Sequence, residues 1–503
     1  MGKLFLALLF SSLAAVDLLA GIVEVSNADG LRNALSNAAD GDTVVLAPGD
    51  YLLSSPLSVS KENITLTSKS GKAATFIDAD SKCRILEVSG VRFKVEGITF
   101  KNAFYNGDGG AIWFSGSSIS KTAVVSNCDF VDCKAYYGGG IYAGQNSYTS
   151  FEPRENYGLV SGCTFLRCGI IGPDEDAHGG GGAIFGALWV ENSVFDACFC
   201  SGKLQYHAAI DVSRYSTVTN CVFRNHSKTK RGLIGGSERY SETQENGCVR
   251  LIDCLIANNT FTDNDDIFFH RKVILDRCVI SNNTSVVEWN SVGLYRIVGD
   301  EEREFSKALN CLFIDNKYPF NMLNLPTLVN CSFVRNAGGL ACDMLGGTAL
   351  KLAVTNCVLW GNSAKADWPH GATYRGVPGL YWHPLNEQIA SQIRIANVVV
   401  EGGSVNDDVL AVLQADSSGK SESLTALAAE KGPGFKDSEK GDWSLRKSSV
   451  LIDGGVRYEG IDGMKDLANN PRALKSGVLY PGALPDIGCY EYYSIPGLCI
   501  LVR

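Results

Sequence analysis

Methionine is scarce in this chain, with four residues among 503, while glycine is abundant at fifty-four. That balance argues against a helical bundle and for a turn-rich fold with many strands. Positive charge is also short: 45 Lys and Arg stand against 54 Asp and Glu, a net charge of −9. Nucleic acid and anionic membrane surfaces are therefore poor partners. Beyond the first twenty residues no run is long and apolar enough for a transmembrane helix. The seventeen cysteines contain no short C-x-x-C pair, so a zinc knuckle is not indicated. Hydrophobic residues make up 45% of the chain, enough for a sizeable core.

The N-terminus reads MGKLFLALLFSSLAAVDLLAG. Lys3 is a short positive region, Leu4 to Ala15 is an apolar run, and Ala20 is a small residue at a cleavage position. Residues 1–20 have the form of a secretory signal peptide, which predicts a secreted, extracellular or cell-surface protein. Gly21 and Ile22 follow, so the cysteine of a bacterial lipid-attachment signal is missing.

The main signal is a repeat. One column holds Ile98, Cys128, Cys163, Ser193, Cys221, Cys254, Cys278, Cys311, Cys331 and Cys357. Two residues later stand Phe100, Phe130, Phe165, Phe195, Phe223, Ile256, Ile280, Phe313, Phe333 and Leu359. Three further on come Cys133, Cys168 and Cys198, then Asn259, Asn283, Asn316, Asn336 and Asn362, with Ala103 and His226 as exceptions. The step varies from 20 to 35 residues, a period that belongs to solenoids and propellers. Cys and Phe at i and i+2 share one face of a strand, and the residues between them are mostly polar or β-branched. A second apolar patch follows in each unit: GGAIWF at 109–114, GGGIYA at 138–143, GGAIFG at 181–186, HAAIDV at 207–212 and RGLIGG at 231–236.

This pattern predicts an all-β, right-handed parallel β-helix over residues 21–400, each unit being one coil. Phe and Ile stack in the core, and the Cys column forms a small buried file of free thiols. The Asn column sits at a bend, where Asn tolerates left-handed backbone and its amide can bond the next coil. Leu31, Ala34, Leu35 and Ala38 fall at i, i+3, i+4 and i+7, which predicts a short N-terminal capping helix. Residues 401–503 read as a helix and loop, over about 401–430, followed by an irregular C-terminal cap.

Two clusters could carry chemistry. DNDDIFFHRK at 263–272 places Asp263, Asp265 and Asp266 near His270, Arg271 and Lys272. These are the candidate catalytic residues, since lyase chemistry on uronic acids needs a base and a neutralised carboxylate, and hydrolysis needs paired carboxylates. The approach to the Gly-rich bend carries Asp108, Tyr136 and Tyr137, then Asp174, Glu175 and Asp176 with His178, then Tyr206 and His207. Stacked coils would gather these on one side as a binding surface for sugar hydroxyls or a divalent ion. Trp113 and Trp189 read as shelf or packing aromatics.

The C-terminal segments Pro433-Gly434-Phe435, Gly441-Asp442-Trp443-Ser444-Leu445, Ile452-Asp453-Gly454-Gly455, Pro471-Arg472 and Asp486-Ile487-Gly488-Cys489-Tyr490-Glu491 resemble secreted bacterial right-handed β-helix proteins. The resemblance is to the pectate-lyase-like superfamily, in the group with choice-of-anchor ends. The Gly-Gly-Ala-Ile and Phe-x-x-Asn-like repeats look like those of chlamydial polymorphic outer-membrane proteins. After Tyr493 only SIPGLCILVR remains, so simple secretion is expected in place of surface anchoring. The resemblance admits lyases, hydrolases and adhesins. The first expectation is a monomeric, non-catalytic β-helix for surface interaction, adhesion or binding of a polysaccharide or cell-surface glycan. The alternatives are a lyase or hydrolase acting on an acidic polysaccharide, with Ca²⁺ as a possible cofactor for a lyase, and a structural envelope or matrix component.

Overall fold

The computed structural model describes residues 20–116, 122–144, 158–171, 179–186, 188–201, 205–212, 216–227, 229, 232–235, 249–261, 267, 273–285, 307–317, 327–337, 340–343, 352–363, 380–383, 393–401, 424–427, 432–458, 460–472, 474–475, 478–479 and 483–493. The chain winds as a parallel β-helix. Two fourteen-stranded parallel sheets run its length, and a seven-stranded parallel sheet forms a third wall over the N-terminal half. At the spacing of adjacent strands, fourteen coils extend about 60 Å. Among the described residues no helix is long and apolar enough to cross a membrane.

One coil shows how the repeat is built. Val124–Ser126 lies in the first sheet, Asp129–Val131 in the second and Ile141–Tyr142 in the third. Asn127 and Asp132 make the two corners with φ of 48° and 55°. Each left-handed residue turns the chain so that the next side chain, Cys128 or Cys133, points inward and is fully buried. The left-handed position thus precedes the Asn column instead of coinciding with it. Asn258 and Asn282 have φ of 58° and 53°, while Asn259 and Asn283 sit inside.

The aromatic column is in strict register. Phe100, Phe130, Phe165, Phe195 and Phe223 pair across successive strands of the second sheet, with ring centroids 5.2, 4.6, 5.0 and 4.7 Å apart. Ile256, Ile280, Phe313, Phe333 and Leu359 continue it. It also extends beyond the repeat legible in the sequence, to Tyr51 and Ile77 at the start and Val400 and Ala426 at the end.

The Asn column is an amide ladder. Asn259, Asn283, Asn316 and Asn336 each donate to the side-chain oxygen of the next member, at 2.9, 3.1, 2.9 and 3.2 Å, ending on Asn362. Their Nδ2 groups also donate to the inward carbonyls of Phe223, Ile256, Ile280 and Phe313. Cys133, Cys168 and Cys198 perform the same task more weakly, their thiols meeting the carbonyls of Phe100, Phe130 and Phe165 at 3.6, 3.4 and 3.5 Å. Every cysteine whose side chain is described is buried and free. Burial raises thiols such as Cys278 and Cys357 well above the ordinary value, which keeps them unreactive.

The N-terminal helix is α1, Ala28–Asn37, with Leu31 and Leu35 buried and Asn27 capping it by accepting from the Gly30 amide at 2.8 Å. It packs on the first strands as expected. Farther along, Leu424–Leu427, within the stretch read as helix and loop, is a strand that adds to the second sheet. The C-terminal segment lies against the outer face of that sheet. Phe435, Trp443, Leu445, Leu451, Ile487 and Cys489 form a second core with Leu312, Ile314, Val334, Val358 and Val399. In one outward column the change is plain: Ile314 and Val334 are covered and apolar where Asp196 and Arg224 stand in earlier coils.

Candidate functional site: the outer face of the third sheet

The acid-rich stretch Asp263, Asp265, Asp266, His270, Arg271 and Lys272 lies outside the described residues, as do Asp174, Glu175, Asp176 and His178 and the side chain of Tyr206. Asp108, Tyr136, Tyr137 and His207 are described, and three of them belong to one surface.

That surface follows from period-two alternation in the third sheet. Ile112, Ile141, Ile184, Ile210 and Ile234 point inward, and the residue after each points out. The outward column runs Glu87, Trp113, Tyr142, Phe185, Asp211 and Gly235. Beside it, Asp108 bridges to Tyr137, and Tyr137 to Gly180. Tyr136 is half-buried on the preceding bend.

At its first end the column is anchored by Arg84, which is buried. Its Nη1 donates to Glu87 Oε1 at 2.8 Å, Nε to the Gly109 carbonyl at 2.9 Å and Nη2 to the Asp108 carbonyl at 2.5 Å. The Tyr105 and Trp113 rings lie against the guanidinium, 3.8 and 4.7 Å from its carbon. In the middle, Tyr142 stacks on Phe185 at 5.4 Å, and Tyr137 meets Phe185 edge-on at 4.8 Å. Tyr137 and Tyr142 remain partly exposed, whereas Phe185 is covered. The Tyr142 hydroxyl is hydrogen-bonded to the Asp108 carboxyl. Burial raises Asp108, with the Tyr142 bond and Arg84 pulling it back, and burial together with Asp108 lifts the phenol well above its ordinary range.

The far end is a His–Asp pair. His207 Nδ1 lies 3.0 Å from Asp211 Oδ2, and both side chains are largely buried. Two glycines make room for them. A Cβ on Gly235 would fall 2.0 Å from the His207 ring, and one on Gly180 would fall 2.8 Å from Asp211 Oδ2. The backbone at His207 is left-handed, with φ of 60°, at the position held in preceding coils by Gly109, Gly138 and Gly181 with φ of 71°, 61° and 62°. A residue with a Cβ adopts this conformation at some cost, where glycine adopts it freely.

The arrangement does not fit a calcium site. Among the described residues no three His, Cys, Asp or Glu side chains lie close enough to hold a metal. Glu87, Asp108 and Asp211 are committed to Arg84, Tyr142 and His207 respectively. Sequence reasoning found Asp108, Tyr137 and His207 and placed Trp113 as a shelf aromatic. It missed Glu87, Tyr142, Phe185 and Asp211, although the residue after each isoleucine of the Gly-rich motifs would have revealed Tyr142, Phe185 and Asp211. Arg84 and Glu87 carry no such marker, because their strand begins with Ile85-Leu86 and no glycines.

No protein-family model matches the chain, and no curated protein matches it. Among solved structures it is similar to a mannuronic-acid-specific family 6 polysaccharide lyase from human gut microbiota, at 12% identity over 81% of this chain and 91% of that one, with a TM-score of 0.36. A family 6 polysaccharide lyase from Pseudopedobacter saltans is 15% identical over 85% and 97%, with a TM-score of 0.38. A pectate lyase is 14% identical over 94% and 96%, with a TM-score of 0.31. The assignment as a parallel β-helix rests on the strand register above, and the chemistry must be read from this chain's own residues.

Proposed function

We propose that this chain is an exported polysaccharide-binding β-helix, with the outer face of the third sheet as its binding surface. The observation that carries this reading is the continuous outward column from Glu87 to Asp211. It sets indole, phenol and carboxyl groups at successive coil steps on a rigid wall. Strand spacing is close to the rise of an extended sugar chain, so a glycan lying along the axis meets Glu87, Trp113 and Tyr142 at successive units. Export follows from residues 1–20 as a signal peptide, which mass spectrometry of the mature N-terminus at Gly21 checks.

Binding is tested by affinity electrophoresis of the mature protein through gels containing neutral and anionic polysaccharides. Retardation by at least one polymer is expected. The double variant Trp113→Ala, Tyr142→Ala should weaken it about tenfold. Retention unchanged in that variant would remove the third-sheet face from the account.

Turnover is a second reading, favoured by the left-handed backbone of His207 and by its pairing with Asp211. Asp211 holding Nδ1–H would set Nε2 as the proton acceptor, the tautomer a general base requires. Nε2 is buried beside Gly235, so this reading also requires that edge of the coil to open to the polymer. This reading predicts new reducing ends from a bound polymer, lost in His207→Gln with binding retained. Binding without release of ends would leave His207 and Asp211 a structural pair closing the column.

A further inference from the structure

The charge on the third-sheet face assigns a class of ligand. It rests on reading that face as a glycan-binding surface. Among its described residues there is one guanidinium, Arg84, and three carboxyl groups, Glu87, Asp108 and Asp211. All three nitrogens of Arg84 are engaged by protein acceptors, the guanidinium is covered by two rings, and the residue is 4% exposed. It therefore has no means of pairing with a carboxylate or sulfate on a ligand. Glu87 and Asp108, by contrast, are partly exposed. The chain as a whole adds to this field with its net charge of −9. Among the described residues, an anionic polymer laid along the first coils of the column would set its charges beside Glu87 and Asp108 while Arg84 is already taken up by Glu87, which costs binding energy there.

A neutral polymer meets a different surface. Carboxylates accept hydrogen bonds from sugar hydroxyls, the Trp113 indole N–H donates, and the aromatic edges carry a positive fringe toward hydroxyl oxygens. We infer that the third-sheet face takes an uncharged polysaccharide, in contrast to the acidic one of the alternative lyase or hydrolase reading.

The test uses pairs of polymers that share a backbone and differ only in charge. One pair is alginate and its carboxyl-reduced form; the other is de-esterified homogalacturonan and its carboxyl-reduced form. A neutral β-glucan and a neutral mannan complete the neutral set. Affinities come from affinity electrophoresis and calorimetry on the full mature chain. At least one neutral polymer is expected to bind at least about tenfold more tightly than any charged one. Glu87→Gln is then expected to narrow the gap, because it removes a repelling charge while keeping a polar partner for Arg84. About 0.5 M salt should narrow it as well, by screening that repulsion. Tighter binding of a charged polymer than of its reduced twin, through the third-sheet face, would overturn the inference and leave the glycan-binding reading standing. Binding to none of the polymers, charged or neutral, would overturn both.

Discussion

Replacing Arg472 by Leu is expected to release the C-terminal segment from the flank of the β-helix, at a cost of about 3–5 kcal/mol. Arg472 and Glu491 form an ion pair of 3.1 Å in which both side chains are fully buried. Arg472 also donates to Asn310 Oδ1 at 3.0 Å and to the Gly488 carbonyl at 2.8 Å, tying the end segment to the solenoid. Removing the guanidinium leaves the Glu491 carboxylate buried without its partner. Limited proteolysis should show rapid cleavage within 432–493 and protection of the preceding coils. Equal resistance of variant and parent would show that the segment is held by its apolar contacts alone.

The same cluster makes docking depend on pH. Burial, together with the negative charge of Glu491, raises Asp486 from 3.8 to about 8. The folded state therefore holds a proton that the unfolded state has released across that interval. Stability from this group is complete below 3.8 and is lost as pH rises through about 8. Thermal unfolding should show the midpoint falling across that window, and Glu491→Gln should flatten the slope by removing the neighbouring charge.

The second large effect is expected at Asn316, in the middle of the amide ladder. Its Oδ1 accepts from the backbone and side-chain nitrogens of Asn283, each at 3.1 Å, and its Nδ2 donates to the Ile280 carbonyl and Asn336 Oδ1, each at 2.9 Å. Asn316→Leu strands several of these groups without water, at about 1–3 kcal/mol for each group left unpaired. A loss of about 3 kcal/mol or more in urea unfolding is expected. Asn316→Cys should lose about half as much, because a thiol of similar volume can still donate to the Ile280 carbonyl. Cys168 does this to Phe130 at the equivalent position. Equal losses in the two variants would mean that the column is held by packing and not by its hydrogen bonds.

The repeat was readable because each member of the Cys and Asn columns follows a left-handed corner. Asn, Gly and Asp at those corners, such as Asn127, Gly162 and Asp253, leave a strong mark in the sequence. The ladder Asn and the corner residue before it are hard to tell apart in sequence, since both positions favour asparagine for different reasons. The first two coils and the last two were invisible because Tyr51, Ile77, Val400 and Ala426 stand in register with the aromatic column without its Cys-x-Phe motif. The docking of the C-terminal segment did leave a trace in Ile314 and Val334, apolar where earlier coils carry Asp196 and Arg224, but the partner lies more than a hundred residues later in sequence. At the site, Asp108 and His207 were legible as polar groups on a Gly-rich bend. Arg84 and Glu87 were not, because only stacking of coils brings them beside Trp113 and Asp108.

The most direct measurement of the account is hydrogen–deuterium exchange of the mature protein with and without the tightest-binding neutral polysaccharide of the panel. Protection is expected in peptides covering 84–88, 108–114 and 137–143, with the outer faces of the first and second sheets unchanged. Protection confined to either of those two sheets, with the third-sheet peptides exchanging as in the free protein, would contradict it.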